Sequence, residues 1–174
     1  MRFIKKGYTN SIILNYDEEA ENLFKWYQQL IAESLGKKSK GLLPVISTMP
    51  KDNHSLLQLY LDGPKKNFFT FFESKNAISD TIPSKSVLKQ KKYLRFKKLS
   101  TIINAQKKAT QRIFELKKIP FRSFEILKKD EKSLGVLFCF FVLETILLGR
   151  ALKVNPFDQP SVELIKIETK KLLI

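Results

Sequence analysis

The sequence predicts an α/β fold built on a mainly parallel sheet. Two observations carry that reading. Short apolar or β-prone runs alternate along the chain with longer stretches of helical periodicity, the order that lays helices against a parallel sheet. Hydrophobic residues make up 43% of 174 residues, enough for one ordinary domain with its own core.

Residues 11–16 (SIILNY) form an apolar run of strand length. Asp17 follows as a helix N-cap, with Glu18 and Glu19 in the first turn, where the helix dipole favours acids. Ala20, Leu23, Phe24, Tyr27, Leu30 and Ile31 recur at helical spacing and Gly36 supplies a stop, which predicts a helix over 17–35. Leu42 to Ile46 reads as a lead into a loop around 50–53. Residues 55–61 begin as a helix that Asp62-Gly63-Pro64 ends. Residues 67–73 (NFFTFFE) are aromatic and β-prone, a second strand.

Residues 75–91 are polar, contain Pro83 and read as a loop. Helical periodicity returns over 93–117 through Leu99, Ile102, Ile103, Ile113, Phe114 and Leu116. Pro120 opens a third strand, 120–127. Residues 131–148 read as an apolar helix. Its apolar run, 134–148, is shorter than the ~20 residues a bilayer needs and carries Glu144, so a buried core helix is expected and no membrane. Cys139 lies in that run and reads as a buried, inert thiol; being alone, it forms no internal disulfide. Asn155-Pro156 breaks the chain, and Pro160 suits the first turn of a last helix to about Leu172.

The formal charge is +15, from 32 basic and 17 acidic residues. Such an excess points toward anionic partners. The lysines, however, outnumber the arginines and are spread in pairs such as Lys5-Lys6, Lys65-Lys66 and Lys170-Lys171, which reads as a solvated basic surface rather than a nucleic-acid site. One histidine and one cysteine make a metal site of the usual nitrogen and sulfur ligands improbable. No glycine-rich phosphate loop occurs, which argues against a nucleotide enzyme. The basic N-terminus lacks the apolar core of a signal peptide, so a cytoplasmic location is expected.

Three segments carry candidate chemistry. Gln29 and Glu33 are four apart and share one helix face, beside the apolar stripe and near the helix C-terminus. Partial desolvation and the negative helix end both make a carboxylate more basic, which suits a general base, although a surface ion pair is the commoner use of such a residue. His54 sits in a polar loop before an apolar run. Imidazole is suited to moving protons near neutral pH, and an ordinary exposed loop histidine is the plainer reading. Lys166 lies seven residues after Gln159, so both share a face if the last helix begins at Asp158. A helix-surface lysine is the plainer reading there too.

Taken together, these segments resemble the glucose-6-phosphate isomerase family. Trp26-Tyr27-Gln28-Gln29-Leu30 with Ala32-Glu33-Ser34-Leu35-Gly36-Lys37 looks like the family's glutamate segment. Asn53-His54-Ser55 with Gln58-Leu59-Tyr60-Leu61-Asp62-Gly63-Pro64 looks like its histidine segment. Asn155-Pro156-Phe157-Asp158-Gln159-Pro160 with Val162-Glu163 and Lys166 resembles its C-terminal signature, with Ser161 where a small Gly or Ala is usual.

The resemblance implies a three-layer α/β sandwich like a sugar isomerase (SIS) domain, flavodoxin-like but partial. Residues 1–174 would be the C-terminal SIS domain, with the N-terminal domain lacking. It implies interconversion of glucose 6-phosphate and fructose 6-phosphate, with Glu33 as base, His54 opening the ring, Lys166 near the C1 oxygen, and Gln29 and Gln159 holding hydroxyls. It also implies a sugar phosphate substrate, no metal or organic cofactor, a homodimer in which the histidine reaches across the interface, and a missing domain that grips the phosphate. The chain alone is therefore expected to be inactive. Two other classes remain open, a non-catalytic dimerisation module derived from an isomerase and a basic anion-binding protein.

Overall fold

The computed structural model describes residues 2–75, 81–83 and 89–174. At its centre lie four parallel strands: β1 (Asn10–Asn15), β2 (Leu43–Thr48), β3 (Asn67–Ser74) and β4 (Phe121–Ile126). Their spatial order is β2-β1-β3-β4. The helices are α1 (Arg2–Lys5), α2 (Glu21–Leu35), α3 (Leu57–Asp62), α4 (Leu99–Leu116), α5 (Glu131–Leu152) and α6 (Pro160–Leu172).

Side chains alternate across the sheet, and that alternation sorts the helices into two outer layers. Ile13 and Phe72 join a core with Phe24, Tyr27, Ile31 and Leu35 of α2 and Leu137 and Phe141 of α5. Ile12, Leu14, Phe69 and Phe71 face the other way, onto Tyr60 of α3 and Phe114 of α4. Because both faces are covered, the strands read as nearly continuous apolar runs. The expected three-layer α/β class with a mainly parallel sheet is thus found, and the sheet is wholly parallel.

Four expectations need correction. The segment from Leu42 to Ile46, read as a lead into a loop, is strand β2, paired in register with β1 from Asn10↔Leu43 to Asn15↔Thr48. Pro44 and the polar Ser47 and Thr48 mask its strand character, and a proline is tolerated because β2 is an edge strand.

The helix expected over 93–117 begins at Leu99. A 3-10 turn, Lys89–Leu94, precedes it, and Phe96 is left-handed at φ +57°, which breaks the helical path. Of the loop expected over 75–91, residues 76–80 and 84–88 lie outside the described residues, and Thr81 forms an antiparallel bridge to Lys98. At the front of α2, Asp17 accepts from the Glu19 N–H at 3.2 Å and caps a 3-10 turn, Glu18–Ala20, before α2 starts at Glu21.

The third correction concerns α5, which has 22 residues and ends at Leu152. It is long and apolar enough to cross a membrane, by length and composition alone. Only one stripe is buried, through Leu137, Phe141, Thr145, Gly149 and Leu152, while Val136, Leu143 and Leu147 are exposed. A helix lying on one face of a sheet covers that sheet with one side only. For the same reason Cys139, expected to be buried, is exposed. Glu144 ion-pairs with Arg122 of β4, with one Nη2–Oε2 contact at 2.9 Å, and the guanidinium stacks over Phe68, Phe124 and Phe140.

Last, α6 runs from Pro160 to Leu172 as expected, but the condition for Gln159 and Lys166 to share a helix face, a start at Asp158, is not met, and Gln159 is the N-cap. Every residue of α6 is exposed.

Candidate active site

Helix α2 leaves the C-terminal edge of β1 and runs back along the sheet. Tyr27 reaches Ser11 at the start of β1 (hydroxyl oxygens 3.1 Å apart), and the Gln28 amide donates to the Pro44 carbonyl at the start of β2 (2.9 Å). The last turn of α2, with Glu33, therefore stands at the N-terminal edge of the sheet. Helix α5 runs the same way from the end of β4 and delivers residues 153–159 to that edge.

There the candidate residues meet. One Glu33 oxygen accepts from the Gln29 amide at 3.0 Å, and the other accepts from Gln159 at 2.9 Å. Gln29 and Glu33 are neighbours on one helix face, whereas Gln159 arrives from 126 residues further along. Glu33 is half-buried and Gln29 is exposed. A carboxylate fixed in this way presents its oxygens at a defined position to a ligand that displaces the amides.

Lys37 brackets the arrangement. Its side chain is 9% exposed, and its ammonium donates to the Asn155 carbonyl at 2.5 Å and pairs with Asp158 Oδ1 at 2.9 Å. That pairing holds the Asp158 carboxyl below the usual Asp range, chiefly through the hydrogen bond from Lys37. Lys40 adds a bond to the Leu152 carbonyl at 2.9 Å. Asn155 Oδ1 accepts from the Phe157 N–H at 3.1 Å, which turns the chain toward Gln159. Gly149 allows this turn to lie close, since a β-carbon there would stand 3.2 Å from the Pro156 ring. Sequence reasoning placed Lys37, Asn155 and Asp158 within the family-like motifs but gave them no role at the site. The available signal was a lysine directly after the helix-stopping Gly36, where the last carbonyls of a helix attract a cation.

The other two candidates stand apart. Lys166 ion-pairs with Glu163 at 2.6 Å, both exposed on α6, about 10 Å along the helix from Gln159. His54 is exposed and follows β2, where Asp52 Oδ2 accepts from the Thr48 N–H at 2.9 Å, so it lies at the C-terminal edge. The length of the sheet, about 20 Å, separates it from Glu33. Within one chain, then, Glu33, Gln29 and Gln159 converge, and His54 and Lys166 do not join them.

Comparison with known proteins decides the kinship. A glucose-6-phosphate isomerase from Methanocaldococcus jannaschii is 34% identical over 97% of the chain. One from Mycoplasmopsis pulmonis is 35% identical over 98%. The chain belongs to the glucose-6-phosphate isomerase family. It spans about two fifths of the length of these curated relatives (40% in both). No protein-family model matches it.

Solved structures agree on the fold. A hypothetical protein from Thermus thermophilus superposes with a TM-score of 0.89 at 28% identity, covering 98% of this chain and 42% of that one. A glucose-6-phosphate isomerase from Chlamydia trachomatis superposes over 95% of this chain and 34% of its own, with a TM-score of 0.76; at 16% identity it bears on the fold alone. Among the described residues no group of acidic, histidine or cysteine side chains is disposed to hold a metal ion.

Proposed function

We propose that this chain supplies the carbon-acid base of an aldose–ketose isomerase that interconverts glucose 6-phosphate and fructose 6-phosphate, as the C-terminal SIS domain of a larger cytoplasmic assembly. The observation that carries the reading is the Glu33 carboxylate held between the amides of Gln29 and Gln159, two residues 130 apart in sequence. A sugar entering here exchanges its hydroxyls for the carboxylate at both amides. Glu33 then takes the proton from C2, leaving a cis-enediol, and returns it to C1. Fixed hydrogen bonds and charge stabilise the enediolate, so no cofactor is called for.

His54 and Lys166 complete the site in the assembly. His54 protonates the ring oxygen to open the sugar. Its distance from Glu33 means that it serves a second copy, which supports a homodimer with sites shared between subunits. Lys166, on exposed α6, exchanges Glu163 for the C1 oxygen. The phosphate is held by the part of the family's length that this chain does not span. Remote binding of that kind positions the reacting carbons, so the chain alone turns over little or no substrate.

The test is a coupled isomerase assay on the chain purified alone and on the chain assembled with the remaining portion of the M. jannaschii relative. The chain alone is expected to be silent and the assembly active. Glu33→Gln in the assembly lowers turnover by about 10³-fold, within the range for removing a general base. Wild-type turnover by that variant would remove Glu33 from the base role. Ordinary turnover by the isolated chain would refute its dependence on a partner.

A further inference from the structure

Far from Glu33, the surface between the 3-10 turn and α4 has a composition the isomerase reading does not use. Residues 89–98 contain six basic residues, Lys89, Lys91, Lys92, Arg95, Lys97 and Lys98, and no acidic one. Lysines that looked evenly spread along the chain are here set side by side. Lys91, Lys92, Lys97 and Lys98 are exposed and form no ion pair among the described residues, and the half-buried Arg95 has an Nε shut off from solvent without a hydrogen-bond partner. Two aromatic rings stand among these charges, Tyr93 at 66% and Phe96 at 71% exposure.

Phe96 carries the argument furthest. A phenylalanine ordinarily buries its ring, and a side chain larger than Asn or Asp seldom adopts left-handed backbone. Here it does both unusual things at once, with φ +57°. The turn is held by hydrogen bonds, Phe96 N–H to the Ile82 carbonyl at 3.1 Å and Ile82 N–H to the Lys97 carbonyl at 3.0 Å. A strained residue kept in place by its surroundings and spending its ring on solvent is the pattern of a site built for a ligand.

Within one helical turn of Lys98 opens a cavity of about 520 Å³. Tyr16, Glu73, Ser74, Lys75, Thr101 and Lys108 line it, between the ends of β1 and β3, and the Glu73 carboxylate is paired with Lys107. That is where the strand order reverses, the usual ligand crevice of open parallel sheets.

We propose that this strip binds single-stranded nucleic acid, with phosphates on the lysines, bases stacked on Tyr93 and Phe96, and the strand leading into the cavity beside Lys98. Cations interleaved with exposed rings match the two needs of an unpaired strand, a track for its backbone and faces for its bases. A duplex keeps its bases stacked and leaves the rings idle. An anionic membrane is less well served, since each ring is flanked by cations on an irregular backbone and no continuous apolar face is offered for insertion.

The experiment is fluorescence anisotropy of a short labelled oligouridylate and the matching oligothymidylate, titrated with the full chain from about 50 to about 300 mM salt. Three to five lysines on phosphates give a slope of log K against log salt of about −2 to −3.5. Tyr93→Ala with Phe96→Ala weakens binding about tenfold or more and leaves the slope unchanged, as lost stacking requires. Lys97→Gln with Lys98→Gln lowers the slope by about 1.4.

All four side chains are exposed, so thermal melts of the variants should overlay the parent. Binding of the RNA alone assigns the 2′-hydroxyl to the site, and equal binding of both strands assigns single strands in general; both support the proposal. Full affinity in the double aromatic variant overturns it, as does binding only to phosphatidylserine vesicles or to neither strand.

Discussion

Removing the Lys37 ammonium tests how the Glu33 arrangement is held. In Lys37→Met most of the aliphatic stem is kept and the charge is lost. The parent ammonium is nearly buried, with 9% side-chain exposure, and donates to the Asn155 carbonyl at 2.5 Å. A hydrogen bond from a charged group contributes about 1.5–3 kcal/mol. Asp158 is exposed and screened, so its attraction adds nothing to that figure. Part of the loss is recovered because the Asn155 carbonyl can turn to water, and a net destabilisation of about 2 kcal/mol is expected. For a chain of 174 residues that lowers Tm by about 4–8 °C.

The assay pairs a thermal melt with side-chain amide NMR. Loosening residues 155–159 should release the Gln159 amide from Glu33, so its resonance moves to the position of a solvated amide while that of Gln29, fixed on α2, stays. An unchanged Tm together with an unchanged Gln159 amide would refute the bracket. A lower Tm with an undisturbed Gln159 amide would reduce Lys37 to a stability role.

Further outcomes follow from the same packing. Gly149→Ala places a methyl 3.2 Å from the Pro156 ring and should destabilise by about 1 kcal/mol, read as a shift of the urea midpoint at constant slope; no shift would show that Pro156 gives way freely. Phe141→Ala empties a fully buried position against Phe24, Tyr27 and Phe124, and a loss of about 3–5 kcal/mol is expected by urea unfolding; a loss under about 1 kcal/mol would mean that α5 is not seated on the sheet. Burial raises the phenols of Tyr16, Tyr27 and Tyr60 above their ordinary 10.0. The unfolded chain thus loses these protons first, so stability is whole below about pH 10 and falls as pH rises beyond it. For Tyr27, the most buried, the slope approaches about 1.4 kcal/mol per pH unit. Urea midpoints at about pH 9, 10 and 11 check this, and a Tyr27→Phe variant that falls as steeply as the parent would contradict it.

Much of the fold was legible in the sequence because local signals and tertiary packing agree there. The run from Ser11 to Asn15 is apolar at every position but its ends, as a strand covered on both faces must be. The helix of Phe24, Tyr27, Ile31 and Leu35 shows its buried stripe directly. Strand β2 was not legible, since Pro44, Ser47 and Thr48 are acceptable only because β1 lies beside them at an edge. Nor was the exposure of Cys139, since an apolar helix reads the same whether one side or both are covered.

By itself the sequence determined the class of the fold, the kinship and the pairing of Gln29 with Glu33, because each depends on spacing within one element or on motifs read in order. The tertiary structure alone decided that Gln159 closes the other side of the carboxylate, that Lys37 holds it there, and that His54 stands at the far edge of the sheet. Those are distances between elements far apart in the chain. They are fixed by how helices settle on the two faces of a sheet, a balance of side-chain packing that no local stretch of residues encodes.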